Sequence, residues 1–78
     1  MEDIVFDKLA FRHEYMVADI ESVLGHPLGA VKLYTDVWVY IGWSTVGTLL
    51  EVMVHQNGFI RVFHCMRARK KFIQLLKY

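Results

Sequence analysis

The chain has 78 residues, which predicts a single domain spanning 1–78. Hydrophobic residues make up 55% of it and aromatic residues 14%, and this composition excludes an intrinsically disordered chain. The single cysteine, Cys65, excludes an intramolecular disulfide. Together with the acidic start Met1-Glu2-Asp3, it favours a cytoplasmic protein over a secreted one.

The net charge of +1 conceals an uneven distribution of charged residues. Residues 1–36 contain seven acids (Glu2, Asp3, Asp7, Glu14, Asp19, Glu21, Asp36) and three bases (Lys8, Arg12, Lys32). Residues 61–78 contain six bases (Arg61, Arg67, Arg69, Lys70, Lys71, Lys77) and no acid. The basic end is expected either to contact phosphate groups or to form an ordinary solvated helix surface.

Two helices are predicted at the start of the chain. Asp7 can cap a short first helix, and the second covers roughly residues 17–24 and ends at Gly25. An apolar stripe marks the second helix: Val17, Ile20, Val23 and Leu24. The two helices could also form one, because no strong helix breaker separates them.

Strands and tight turns follow, and then a basic helix. The predicted strands are a weak one at 31–34 and stronger ones at 37–41, 49–56 and 59–65, separated by turns at 35–36, 44–47 and 57–58. Residues 67–78 are predicted to be helical. The expected fold is therefore α+β, with two N-terminal helices, an antiparallel meander of three or four strands and a C-terminal basic helix. The turn residues within 37–54 exclude a membrane span there, and no membrane partner is expected.

The predicted hairpin registers place an acid beside an imidazole. A two-residue turn at Asn57-Gly58 puts Glu51 opposite His64, and a four-residue turn at 44–47 puts Tyr40 opposite Glu51. One face is then the core face, with Val37, Val39, Ile41, Trp43, Leu50, Val52, Val54, Phe63 and Cys65. The other is the solvent face, with Trp38, Tyr40, Glu51, Met53, His55, Ile60, Val62 and His64.

The solvent face has the groups that metal-independent RNA cleavage needs. Glu51 beside His64 can act as an acid–base pair, aromatic side chains can stack on unpaired bases, and nearby cations can hold a phosphate. The same pair can equally be an ordinary cross-strand contact. The four histidines show no zinc-ligand spacing, so neither a metal site nor a cofactor is predicted.

Several segments resemble a known toxin family. These are Arg12-His13, Asp19-Ile20 followed by Leu24 and Pro27, the run 47–52, and above all the run 62–72. Together they resemble the BrnT-like toxins, relatives of the RelE/ParE superfamily of toxin–antitoxin systems, over about residues 6–76. The chain departs from that family where Glu14, Tyr15 and Met16 replace a glycine and a Ser/Thr cap. It also departs at His64-Cys65-Met66, which replaces a Ser-Ala-Arg-like segment.

The resemblance implies an endoribonuclease that needs no metal, halts translation and is neutralised by a cognate antitoxin. It implies mRNA as substrate, free or on the ribosome. The expected catalytic residues are His64, Glu51, Arg67, Lys70 and His13, with His64 as general acid or base, Glu51 orienting it, and Arg67 with Lys70 holding the scissile phosphate. The expected RNA contacts are Arg12, Tyr40, Trp38, Arg69 and Lys71.

Two other hypotheses fit the same sequence. The protein could be a non-catalytic module that binds a protein target through the solvent face of the sheet. It could also form a homodimer through Trp38, Tyr40 and Ile60, which would bury the predicted site.

Overall fold

The computed structural model describes residues 3–76 and contains one five-stranded sheet. Its strands are β1 (Ile4–Phe6), β2 (Gly29–Tyr34), β3 (Val37–Trp43), β4 (Leu49–Gln56) and β5 (Ile60–Arg67). A 3₁₀ helix spans Lys8–Phe11, and two α-helices, α1 and α2, span Val17–Gly25 and Lys70–Ile73. The strand order is β1-β5-β4-β3-β2. β1 runs parallel to β5, and the other neighbours are antiparallel.

The predicted fold class, with two N-terminal helices and three or four antiparallel strands, is wrong. Asp7 does cap the first helix, because its Oδ1 accepts from the backbone N of Leu9 at 3.0 Å, but that helix is a single 3₁₀ turn. Glu14, with a φ of 67°, then separates it from α1. β1 escaped prediction because three residues are too few to show a strand alternation.

The C-terminal helix is also much shorter than predicted. β5 continues to Arg67, and α2 has only four residues. Met66 and Arg67 stay in the sheet by pairing with Glu51 and Leu50 of β4, while Arg69 is still extended, with φ −85° and ψ 148°. The last two residues of the predicted helix, 77 and 78, lie outside the described residues.

The sheet is covered on both sides. The α1 face packs beneath α1 and the 3₁₀ helix and comprises the buried side chains of Leu50, Val52, Val54, Val62 and Cys65. The α2 face packs beneath α2 and comprises Val39, Ile41, Glu51, Met53 and His64. A sheet covered on both faces has strands that are apolar along their whole length, as in β3.

α1 lies tightly on the α1 face. Ile20 and Val23 are fully buried. A side chain at Gly42 of β3 would place its Cβ 3.2 Å from Val23, so any other residue there would require α1 to shift by a few tenths of an ångström. The loop after β3 is fixed to the helix as well, because the backbone N and hydroxyl of Thr45 both donate to Asp19 Oδ1, at 3.1 and 2.8 Å.

The predicted register between β3 and β4 is wrong by one residue. Tyr40 pairs with Val52, and Ile41, not Tyr40, pairs with Glu51. The reason is the connecting loop: Trp43 pairs with Leu49, so it has five residues (44–48), one more than predicted. A one-residue slip exchanges the faces of a strand. Trp38 and Tyr40 therefore lie on the α1 face, half-buried against the main core.

The apolar stretch 37–54 forms β3 and most of β4, which confirms its interpretation as two strands around a turn. Within residues 3–76, no helix has both the length and the apolar character needed to cross a membrane.

Candidate active site

The β4–β5 hairpin brings Glu51 and His64 together by a route that differs from the predicted one. Gln56 pairs with Ile60, so the loop has three residues, one more than predicted. A β-bulge at Phe63 then adds a second residue, because Val54 pairs with Val62 but Met53 pairs with His64. Two shifts of one residue return His64 to the face of Glu51. The two side chains are diagonal neighbours, and Glu51 pairs directly with Met66.

Glu51 is the centre of the site. Its side chain is fully buried on the α2 face, and the other core residues of that face are apolar. Arg69 holds the carboxylate with its backbone N, 2.8 Å from Oε1, and with a guanidinium fork whose Nη2 lies 2.7 Å from Oε2. The Arg69 Nε lies 3.1 Å from both oxygens. Such bidentate, charge-assisted contacts are among the stronger hydrogen-bonded pairs in proteins.

His64 is the third member of the cluster. Its Nε2 lies 2.9 Å from Glu51 Oε2, and its side chain is 22% exposed. An ionised carboxylate only accepts hydrogen bonds, so Nε2 carries the proton. In the neutral ring Nδ1 is then the basic nitrogen. The cluster thus fixes the tautomer of an imidazole that solvent can reach.

A second imidazole lies beside the first. The ring centroids of His13 and His64 are 6.0 Å apart, and the rings are nearly perpendicular. His13 follows the 3₁₀ helix and is exposed. β1 pairs only with residues 60–62 of β5, so among residues 3–76 no strand pairs with β5 at His64 on that side, and the His64 side chain stays 22% exposed. The site therefore opens at the edge of the sheet.

The electrostatics of the cluster favour an ionised Glu51. Burial raises the pKa of this carboxyl, but the hydrogen bonds from Arg69 and His64 outweigh burial and hold the pKa below its ordinary value of 4.5. The same bond raises the pKa of Arg69. Cys65, on the α1 face, is inert by comparison, because burial raises the pKa of its thiol to about 12.

A groove adjoins the cluster on the α2 face, and we call it the α2 groove. It has a volume of about 450 Å³. Its apolar walls are formed by Tyr34, Val37, Met53, Phe63, Phe72 and Leu75, together with Leu33. Arg69 and Lys71 are its charged lining residues, and the Lys71 Nζ lies 4.9 Å from the ring centroid of Phe72.

The structure brings together only some of the predicted site residues. His13, Glu51, His64 and Arg69 form one cluster, and Lys71 lies in the adjoining groove. Arg12 and Lys70 are exposed neighbours of His13 and Arg69 in the chain. Three predicted residues lie elsewhere: Trp38, Tyr40 and Arg67.

Those three residues belong to the α1 face. Arg67 pairs with Leu50 and therefore points away from His64. Trp38 and Tyr40 pack against the core, and the Tyr40 hydroxyl donates to Gln56 Oε1 at 3.1 Å. They do not form a stacking surface beside Glu51. Ile60 also packs against that core, so the three residues predicted for a homodimer are largely covered by their own chain.

The role of Arg69 and the walls of the α2 groove were missed from sequence. A signal for Arg69 existed: the acid in the apolar run Leu49-Leu50-Glu51-Val52 needs a cation if the strand is buried. No comparable signal existed for Tyr34 and Phe63, because the groove depends on the bulge and on where α2 lies.

Among the described residues, no group of three or more His, Cys, Asp or Glu side chains could hold a metal ion. Comparison with protein-family models, curated proteins and solved structures gives no match. Function is therefore inferred from the geometry of the site and from the sequence.

Proposed function

We propose that the protein is an endoribonuclease that cleaves single-stranded RNA through the RNA's own 2′-hydroxyl, and that it acts as the toxin of a toxin–antitoxin pair. The observation that carries the proposal is the His64 imidazole. It is held at 2.9 Å by a buried carboxylate, with a second imidazole 6.0 Å away and an arginine on the same carboxylate.

The cluster supplies each function that the reaction needs. Neutral His64 takes the 2′-hydroxyl proton at Nδ1 while the oxygen attacks the adjacent phosphorus. His13, when protonated, gives a proton to the departing 5′-oxygen. Arg69 balances the negative charge that develops on the phosphate, because its side chain is 41% exposed beyond the fork that holds Glu51. Glu51 has no exposed surface, so it acts through His64 and Arg69 and is a positioning residue.

Glu14 gives independent support to the resemblance on which the toxin assignment rests. Its φ of 67° is a conformation that favours glycine, and the BrnT-like family has a glycine in this segment. The backbone therefore bends here in the way that a glycine in this segment would favour. Asp19 supports the next helix in place of the missing Ser/Thr cap, because its Oδ2 accepts from the backbone N of Met16 at 3.1 Å.

The test is cleavage of a short single-stranded RNA by the purified protein in the presence of a metal chelator. We expect products with 2′,3′-cyclic phosphate and 5′-hydroxyl ends, and no cleavage of the all-2′-deoxy analogue. His64→Ala and His13→Ala should each lower the rate by about 100-fold or more. His26→Ala, a change at an exposed histidine after α1, is the matched control and should keep the wild-type rate. An absence of cleavage, both with free RNA and on ribosomes, would overturn the proposal.

A non-catalytic interaction module is the second candidate function. The observation that favours it is the complete burial of Glu51, since a buried Glu–Arg–His network can serve structure alone. Growth arrest in cells separates the two functions. If the protein acts by binding, His64→Ala should still arrest growth, whereas an enzyme should lose toxicity while it still binds its antitoxin.

A further inference from the structure

The α2 groove has no role in the proposed chemistry, yet it shares Arg69 with the catalytic cluster. We propose that this groove binds one unpaired nucleotide of the RNA strand, next to the phosphate that is cleaved. This inference rests on the proposed function and names the part of the substrate that the enzyme grips.

The lining of the groove matches the chemistry of a nucleotide. A nucleotide joins a flat ring with apolar faces to an anionic phosphate. The groove offers aromatic side chains for the ring and two cations, Arg69 and Lys71, for the phosphate. Tyr34 is 72% exposed, so its ring is open for stacking. The volume of about 450 Å³ is within the usual range of small-molecule sites.

The position of the groove favours a nucleotide over an acidic peptide, which would also match its charge. Met53, a wall of the groove, is the cross-strand partner of His64, and Phe63 precedes His64 in β5. In the proposed complex, an RNA strand with a phosphate at His64 and Arg69 has its neighbouring nucleotide on the side of the groove that Met53 and Phe63 form. A groove that adjoins the residues proposed to cleave the RNA is placed for the substrate, whereas a peptide bound there would block cleavage.

The test measures binding separately from cleavage. The probe is a trinucleotide that is 2′-O-methylated throughout and so cannot be cleaved, compared with the same probe lacking its central base. For the wild-type protein we expect the loss of the base to weaken binding by about tenfold, as measured by fluorescence anisotropy. Tyr34→Ala should weaken binding of the intact probe by a similar factor and remove the difference between the two probes.

Trp43→Ala is the matched control, because Trp43 is a half-exposed aromatic residue at the opposite end of β3 from Val37. It should leave both affinities unchanged. Equal binding of the two probes by the wild type would overturn the inference, and so would tighter binding of an acidic apolar peptide in the groove. If RNA cleavage fails but base-dependent binding holds, the proposed function is wrong and the nucleotide site stands. If the protein cleaves RNA normally but binds both probes equally, the proposed function stands and the nucleotide site is wrong.

Discussion

At the scale of single residues, the structure depends on one buried acid. Placing an unpaired carboxylate inside a protein costs several kcal/mol, and Glu51 is tolerated because Arg69 and His64 satisfy its oxygens. Every buried side-chain nitrogen or oxygen within residues 3–76 has a hydrogen-bond partner. The cluster is therefore both the proposed active site and an internal support of the α2 face.

Removing the carboxylate should destabilise the protein. We expect Glu51→Ala to lower the free energy of unfolding by about 3 kcal/mol, because it leaves a cavity and separates Arg69 from its partner. Urea unfolding at pH 7 measures this loss. Glu21→Ala, at an exposed position of α1, is the control and should change stability by less than about 0.5 kcal/mol. Equal effects of the two changes would contradict the structural role of Glu51.

The cluster also predicts how stability depends on pH. The pKa of Glu51 is lower in the folded chain than its ordinary value of 4.5, so the unfolded chain takes up the proton first as the pH falls. The stabilisation is fully present above pH 4.5 and is lost as the pH falls through the lower, folded pKa. Unfolding measured between pH 7 and pH 3 should show this loss.

Two variants identify which carboxylates cause the loss of stability at low pH. Glu51→Gln should flatten the fall in stability below pH 4.5. Asp19 contributes separately, because the hydrogen bond from the Thr45 side chain lowers the pKa of its carboxyl from 3.8, and Asp19→Asn should remove that contribution. If Glu51→Gln is as acid-sensitive as the wild type, the ionised cluster is not the cause.

At the scale of elements, the pattern of apolar residues predicted the positions of most strands but not the register in which they pair. β4 was predicted at 49–56, as found, and the turn at 35–36 and α1 were close to their observed positions. Register failed because both faces of the sheet are covered, so Val39 and Tyr40 are equally suited to either side. The β5 bulge, whose residue is Phe63, has no sequence signature that separates it from a regular strand position.

The contact between Glu51 and His64 was predicted from a register that is wrong. The hairpin loop and the bulge each add one residue, and their sum preserves the face that each side chain occupies. Arg69 was expected to contact RNA. The predicted helix at 67–78 already included Arg69, and a helical Arg69 would not have been placed on Glu51. The extended backbone at Arg69 places its N–H and its side chain on the same carboxylate.

The segment between the 3₁₀ helix and α1 contains a strained position that can be relieved. A non-glycine residue with the left-handed conformation of Glu14 costs about 1 kcal/mol, so Glu14→Gly should raise the free energy of unfolding by about that amount. Thermal or urea unfolding measures the gain. Glu21→Gly, inside α1, should have the opposite sign and lose about 1 kcal/mol. A loss of stability in both variants would contradict the strain at Glu14.

At the scale of the whole molecule, charge is unevenly distributed along the chain, because residues 1–36 have more acids than bases and residues 61–78 have only bases. The bases nearest the proposed site in the chain, Arg12 and Lys70, are exposed and free to approach the backbone of a nucleic acid. Each contact with a phosphate of a single strand releases counterions, so affinity falls as salt rises.

Salt dependence therefore tests which bases contact RNA. For an uncleavable, fully 2′-O-methylated single-stranded RNA of about twelve nucleotides, we expect Arg12→Gln and Lys70→Gln each to reduce the slope of log affinity against log salt by about 0.7. Lys8→Gln and Lys32→Gln, at exposed positions of the 3₁₀ helix and β2, are the controls and should leave the slope unchanged. Identical slopes in all four variants would show that these bases do not contact the phosphates.

The hairpin also constrains how the gene can change length over evolutionary time. A deletion of Phe63 alone, with the pairing of residues 60–62 kept, would turn His64 to the side opposite Glu51. A deletion of one residue of the 57–59 loop would instead leave Gln56 and Ile60 paired across a two-residue turn, and both side chains would stay on one side. Homologues that keep this acid and this imidazole should therefore vary in length at the loop but not at Phe63, a difference that an alignment can reveal without any assay.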